Sequence, residues 1–143
     1  MTRASHLSGV TQVKAYRILQ AIVSAEVEKY DLNVTEWFIL GHVSENQTAR
    51  PADVAGLLMV EAPLITNLSD NLISKGLLDK LPDKKDKRAK ILKLTSKGIK
   101  LVPEVEAAIQ SALKNVLSGV TNKELMTYSR VLESIISNGN EIL

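Results

Sequence analysis

ADVAGLLMVEAPLITNLSDNLISKGLLDKLPDKKDKRAKILKLTSKG, residues 52–98, is the stretch whose periodicity decides the fold. Its first half repeats like a helix and its second half does not. Pro51 stands at a favoured first helical position, and Asp53 lies in the first turn near the positive helix end. A short helix is therefore expected over 51–58. Val60 and Glu61 make a turn. A second helix is expected over 62–75, with Ile65, Leu68 and Leu72 forming one buried stripe. Pro63 is tolerated because it falls in the first turn, and Gly76 is a natural C-terminal stop. Then the period changes. Residues 77–81 and 90–94 read as two strands, and PDKKDKRA at 82–89 reads as the long charged tip between them.

Two helices joined by a tight turn, the second leading into a hairpin, make a winged helix-turn-helix. An α-helix fits the major groove of B-form DNA, where its exposed side chains reach base edges. With Ile65, Leu68 and Leu72 turned inward, the outward set is Ala62, Pro63, Thr66, Asn67 and, one turn on, Asp70 and Asn71. Asn67 has the paired donor and acceptor that suit adenine, Thr66 suits a phosphate or a base edge, and Ala62 and Pro63 suit thymine methyls. The hairpin is basic where a wing needs to be. Between positions 79 and 90 stand six positive residues, Lys80, Lys84, Lys85, Lys87, Arg88 and Lys90, against Asp79, Asp83 and Asp86. The planar guanidinium of Arg88 suits a narrow, negative minor groove. Lys84, Lys85, Lys87 and Lys90 suit phosphate attraction, and Asp86 is placed to orient Arg88 through an ion pair. A solvated, lysine-rich loop tip is the plainer alternative for the same residues.

The flanks read as helices. Val13, Tyr16, Leu19, Val23, Val27 and Tyr30 recur at spacings of three and four, predicting a helix over 11–30. Thr35 is the expected N-cap of a short apolar helix over 36–44 that carries Trp37, Phe38, Leu40 and Val43. Such density places that helix at the centre of a helical core. Residues 45–50 are expected to be a polar connection. Thr95 is the expected N-cap of a helix reaching about 118, and Gly119 punctuates it. Thr121-Asn122-Lys123-Glu124 has the form of a capping box and opens a last helix to about 137. No internal repeat or low-complexity linker interrupts this order.

The composition narrows the function. The chain has 143 residues, and 45% of them are hydrophobic, which supports a folded core. Only 3% are aromatic, so that core is built from Leu, Ile, Val and Ala. There is no cysteine, which excludes disulfides, thiolate nucleophiles and cysteine metal sites. No apolar run is long enough for a membrane span, and the charged, interrupted N-terminus does not read as a signal peptide, so a cytoplasmic protein without membrane association is expected. The net charge is only +2, so the clustering of charge in the wing carries more weight than the sum. No zinc-protease, nucleophile-elbow, P-loop or dinucleotide pattern occurs, so neither an enzyme nor a cofactor is expected.

Three segments in order, VTEWFILGHV at 34–43, ADVAGLLMVEAPLITNLSDNLISKGLL at 52–78 and DKKDKRAKILKLTSKG at 83–98, resemble the MarR family of transcriptional regulators. Asp86-Lys87-Arg88 in the wing, then Leu94-Thr95 and Gly98, carry most of the likeness. The resemblance implies a mainly α fold with a small β-hairpin wing. It implies an N-terminal dimerisation helix at 1–32, a DNA-binding domain at 33–95 and C-terminal dimerisation helices at 96–143. It further implies a homodimer, expected to act as a repressor, on a near-palindromic stretch of double-stranded DNA. By position, Arg88 resembles the arginine that enters the minor groove and Asp86 its orienting partner. Thr66 and Asn67 fall in the groove-facing part of the reading helix. The family often has a basic residue near 67 and an arginine near 71, whereas this chain has Asn67 and Asn71, with no Lys or Arg in 61–74. That shifts affinity toward the wing.

Members of this family are commonly released by small aromatic or phenolic effectors, or by cysteine oxidation, and the second route is closed here. Tyr16, Arg17, Trp37 and His42 are candidate lining residues for an effector pocket. Core packing is the plainer reading of Trp37, and a metal role is not expected for His42. A different class also fits the neutral-to-acidic reading helix, which has Glu61 and Asp70 and no basic residue: a winged-helix dimer that mainly binds protein.

Overall fold

The computed structural model describes Ser5 and residues 9–143. Its elements are α1 (Val10–Glu28), α2 (Val34–Asn46), β1 (Thr48–Ala49), α3 (Pro51–Leu58), α4 (Ala62–Ser74), β2 (Leu78–Pro82), β3 (Lys90–Leu94), α5 (Ser96–Leu113) and α6 (Asn122–Ile142). The protein is mainly helical, with one three-stranded antiparallel sheet in the order β1-β3-β2. It forms two compact units, the first ending at Leu113 and the second spanning Lys114–Leu143.

The hub of the first unit is α2, which packs against α1, α4, α5, β1 and β3. Ile39, Leu40 and Val43 are wholly inaccessible and Trp37 nearly so, as the apolar density predicts, while Phe38 lies on the outer side and is exposed. The helix begins at Val34, two residues earlier than expected. Asn33, not Thr35, is the cap: its Oδ1 accepts the Glu36 amide at 2.8 Å, and the Glu36 carboxylate accepts the Asn33 amide at 3.1 Å. This reciprocal pair satisfies two orphan amides, which a cap at Thr35 does not. Glu36 is itself buried, and Lys75 at 3.2 Å supplies the countercharge that burial requires. The Lys75 ammonium also donates to the Asp31 carbonyl, so the end of α4 is tied to the α1–α2 turn.

The helix-turn-helix follows the sequence closely. Pro51 opens α3, and Met59 in the left-handed region ends it. On α4, Ile65 and Leu72 are inaccessible, together with Ser69 between them, and Leu68 is half-buried. Gly76, at φ +74°, closes α4 with its amide on the Ile73 carbonyl, while the Leu77 amide bonds the Leu72 carbonyl.

The connection at 45–50 holds a strand that sequence patterning does not reveal. Thr48 and Ala49 pair with Lys93 and Leu92, making β3 the central strand. Two residues are too few to show a period. On the other side β2 pairs with β3 from Leu78↔Leu94 to Pro82↔Lys90, and Pro82 is accommodated because β2 is an edge strand.

At the end of β3 the chain turns into α5 under tight constraint. The Thr95 hydroxyl donates to the Gly76 carbonyl at 2.6 Å and accepts the Gly98 amide at 3.1 Å, acting as the expected cap. A Cβ on Gly98 would lie 2.4 Å from the Leu77 carbonyl oxygen. Val105 and Ile109 carry the buried face of α5 against α1 and α2. The helix ends at Leu113, short of the expected 118, and turns occupy the residues up to Gly119 at φ +83°.

In the second unit the Thr121–Glu124 capping box forms as expected, and α6 extends to Ile142 rather than 137. No residue of α6 is fully buried. Yet Leu125, Tyr128, Leu132, Ile135, Gly139 and Ile142 recur at spacings of three and four, a seam along one side of the helix.

Candidate nucleic-acid interface

The outward face of α4 is built by the inward one. Anchoring Ile65, Ser69 and Leu72 in the core turns Ala62, Pro63, Thr66, Asn67, Asp70 and Asn71 to solvent, and all six are exposed. Among the described residues, the Thr66 hydroxyl donates back to the Ala62 carbonyl at 3.2 Å, which leaves its oxygen lone pair and methyl outward. Asp70 meets Lys80 of β2 at 3.1 Å, so the acid on the reading face is neutralised from the wing.

Beyond Pro82↔Lys90 the wing tip is held by its own bonds. The Asp83 amide donates to the Ala89 carbonyl, and the Ala89 amide to the Asp86 carbonyl, both at 3.0 Å. Asp86 Oδ1 accepts the Arg88 amide at 3.0 Å, whereas the Arg88 Nε lies 4.0 Å from that oxygen. Asp86 thus shapes the loop backbone more than it holds the guanidinium. The Arg88 side chain projects almost fully into solvent, 98% exposed. Lys84, Lys85, Lys87 and Lys90 are exposed and enter no ion pair among the described residues. The wing therefore presents cations, loosely held, beside a helix face of neutral polar groups. Between the two runs a groove of about 440 Å³ lined by Arg50, Asp53, Ala62, Thr66, Lys80 and Lys90.

Sequence patterning missed Arg50 as a contributor to this site, and with it the role of Asp83. Arg50, assigned to a polar connection, donates from Nε to Asp83 Oδ2 at 2.9 Å, and a second guanidinium nitrogen donates to the same oxygen. The other Asp83 oxygen accepts the Lys85 amide at 2.9 Å. These two bonds, the Lys85 amide first and Arg50 second, hold the Asp83 carboxyl below its ordinary value, and Asp83 in turn raises Arg50. Nothing local in the sequence marks a pair separated by 33 positions.

The candidate effector residues do not form one pocket. Trp37 and His42 line a cleft of about 360 Å³ with Phe38, Gly41, Glu45, Leu57, Leu58 and Glu106. Tyr16 lines a separate apolar hollow of about 140 Å³ with Leu19, Gln20, Val23, Val34 and Phe38. Phe38 borders both. Arg17 is exposed and lines neither. Among the described residues, no helix is long and apolar enough to cross a membrane.

Residues 32–90 match the family model described as the MarR family. The transcriptional regulator BldR from Sulfolobus solfataricus is 26% identical, with a TM-score of 0.83 over 96% of this chain and 99% of that one. CouR from Rhodococcus jostii, bound to p-coumaroyl-CoA, is 21% identical, with a TM-score of 0.79 over 86% of this chain and 87% of that one. A Cys-to-Ser variant of MarR from E. coli, complexed with operator DNA, is 18% identical, with a TM-score of 0.72 over 91% of this chain and 96% of that one. Residues 32–90 thus match the MarR family model, and the fold is similar to that of solved MarR-type regulators along most of the chain.

Proposed function

We propose that this protein is a sequence-specific regulator of transcription that binds double-stranded DNA as a homodimer and represses from a near-palindromic operator. The observation that carries the reading is the juxtaposition of an exposed helix face, α4, with a basic wing: Ala62 and Thr66 of α4 share a groove with Lys80 and Lys90 of the hairpin, and the tip beyond it exposes Lys84, Lys85, Lys87 and Arg88. Thr66 and Asn67 read base edges, Ala62 and Pro63 touch thymine methyls, and Asn71 lies one turn further along. Arg88 enters the minor groove, Asp86 shapes its loop, and Lys84, Lys85, Lys87 and Lys90 meet phosphates. The operator complex of the MarR variant supports DNA as the partner. Two apolar surfaces support the dimer: the seam of α6 and the exposed Val10, Val13 and Tyr16 of α1. We place the protein in the cytoplasm, and we assign it no catalytic role.

The test is binding to short duplexes drawn from a random library, followed across salt. The logarithm of affinity is expected to fall linearly with the logarithm of salt, with a slope of about −0.9 per neutralised phosphate. Arg88→Ala is expected to weaken binding about tenfold or more. Lys123→Ala, on exposed α6, is expected to have little effect. Equal losses from the two would remove Arg88 from the interface.

An effector cleft is part of the proposal. The space beside Trp37 and His42 has the size of a small-molecule site and an apolar wall, and CouR was solved with p-coumaroyl-CoA bound. A small aromatic or phenolic compound is the expected occupant. Trp37 is the only tryptophan, so its fluorescence reports binding directly. A spectrum unmoved by a panel of aromatic acids, with DNA binding also unmoved, counts against this cleft.

A second reading has its own observation. Leu57, Met59 and Leu64 are exposed around the helix-turn-helix, and α4 carries no Lys or Arg. A partner-protein surface has that composition. Absence of duplex binding even at low salt favours it.

A further inference from the structure

The wing joins the body through two ion pairs among the described residues. Lys80 of β2 meets Asp70 of α4 at 3.1 Å, and Arg50, at the start of α3, meets Asp83 at the base of the tip. They grip the hairpin at different heights. Lys80 lies within the ladder, opposite Leu92, where strand pairing already fixes the chain. Asp83 lies one residue past the last ladder pair, where nothing but short-range loop bonds orders residues 84–88.

Asp83 is nearly inaccessible, while Lys84, Lys85, Asp86, Lys87 and Arg88 after it are all exposed. Both carboxylate oxygens are engaged, one by the Arg50 guanidinium and one by the Lys85 amide. The body is thereby connected through Asp83 to the backbone of the loop that carries Arg88. Arg50 is spare for this task. It occupies the N-cap position of α3, but its side chain makes no capping bond. A lysine in its place would offer a single point charge, whereas the guanidinium donates two bonds from a planar fork.

We infer that Arg50 is a positioning residue for DNA reading: through Asp83 it sets where the wing tip, and so Arg88, stands relative to the reading helix α4. The inference rests on the regulator reading and deepens it. In a winged reader the helix fixes one set of bases in the major groove, and the wing fixes another in the adjoining minor groove. The offset between the two sets is a property of the bracing. A loop released at Asp83 still carries its cations, so it keeps phosphate attraction and loses preference for a particular flanking step. The pull toward the body also opposes the mutual repulsion of Lys84, Lys85, Lys87 and Arg88, which otherwise splays the tip.

The experiment has one arm without DNA and one with it. In the free protein, amide exchange at Lys85, Arg88 and Ala89 is measured for the parent chain and for Arg50→Ala, Arg50→Lys and Asp83→Asn. Exchange is expected to speed up about fivefold in Arg50→Ala and Asp83→Asn, with Arg50→Lys between them and the parent. In the second arm, each variant selects from a random duplex library. Arg50→Ala is expected to keep the bases read by α4 and to lose preference at the flanking positions, and the double variant Arg50→Ala/Asp83→Asn is expected to be no worse than either single one. Unchanged loop exchange in Arg50→Ala overturns the inference, and so does faster exchange with an unchanged flanking preference. A parent chain that selects no duplex overturns the regulator reading instead, a result the free-protein arm does not share.

Discussion

Gly98 shows how one atom ties the wing to the helix behind it. Its backbone needs no left-handed conformation; what excludes a side chain is the Leu77 carbonyl oxygen, 2.4 Å from where a Cβ would sit. The same carbonyl accepts the Thr95 amide at 3.1 Å, so it has little room to move. Gly98→Ala is therefore expected to destabilise the chain by about 1–3 kcal/mol through overpacking, read from urea unfolding. An unchanged midpoint would mean that the Leu77–Thr95 turn yields freely. On the reading face the side chains differ in what they have left to offer. The Thr66 hydroxyl has spent its proton on the Ala62 carbonyl, whereas no hydrogen bond occupies the Asn67 amide among the described residues. Asn67→Ala is thus expected to alter base preference at one position per half-site by about 1–3 kcal/mol, with Thr66→Ala altering it less. A selected sequence identical to the parent's would remove Asn67 from the reader.

Among the elements, the wing loop depends on a carboxylate whose acidity is set by its partners. The Lys85 amide and the Arg50 guanidinium lower Asp83 from its ordinary 3.8, while Asp53 and Asp86 add to the field that keeps Arg50 charged. A depressed carboxyl contributes stability that is complete above its unfolded value and is lost as pH falls through the folded one. Loop protection is therefore expected to hold from about pH 8 down to about pH 5 and to decline below about pH 4. In Asp83→Asn the loop is expected to show less protection at neutral pH and less of this acid decline; an acid profile like the parent's places the titrating group elsewhere. Elements differ in how legible they are. Pro51, Gly76 and the 65-68-72 stripe punctuate α3 and α4 locally, so their reading needs no tertiary knowledge, and β3 alternates from Leu92 to Leu94 with Ile91 and Leu92 adjacent. By contrast β1 is two residues whose strand character exists only against β3. The α2 cap was missed because Asn33 and Thr35 are both good caps, and the reciprocal bond with Glu36 decides between them. Of the interface, the exposed faces of α4 and the tip followed from periodicity and charge. The braces Arg50–Asp83 and Lys80–Asp70 did not, because a contact between distant positions leaves no mark on the local pattern.

For the whole molecule the question is what covers α6. Its seam from Leu125 to Ile142 keeps a heptad rhythm, yet Ile135 and Ile142 are at least half exposed in the single chain. In the homodimer proposed above this seam pairs with that of a second copy, and two chains supply two α4 helices for two half-sites. One DNA turn, about 34–36 Å, is the separation that lets both helices enter successive major grooves on one face. Ile135→Glu puts a charge into the proposed seam at a half-exposed position, so no buried side chain is replaced. The variant is expected to sediment as a monomer where the parent sediments as a dimer. Its affinity for a two-half-site operator is expected to fall by about a hundredfold, as the second half-site no longer binds at the high effective concentration that linkage provides. Its affinity for an isolated half-site is expected to stay close to the parent's. Glu133→Lys, an exposed position outside the seam, serves as the control and should change neither oligomer nor affinity. A dimeric Ile135→Glu chain with parental operator affinity would move the two-fold contact away from α6. Equal losses on the half-site and the full operator would point to damage within the reader itself.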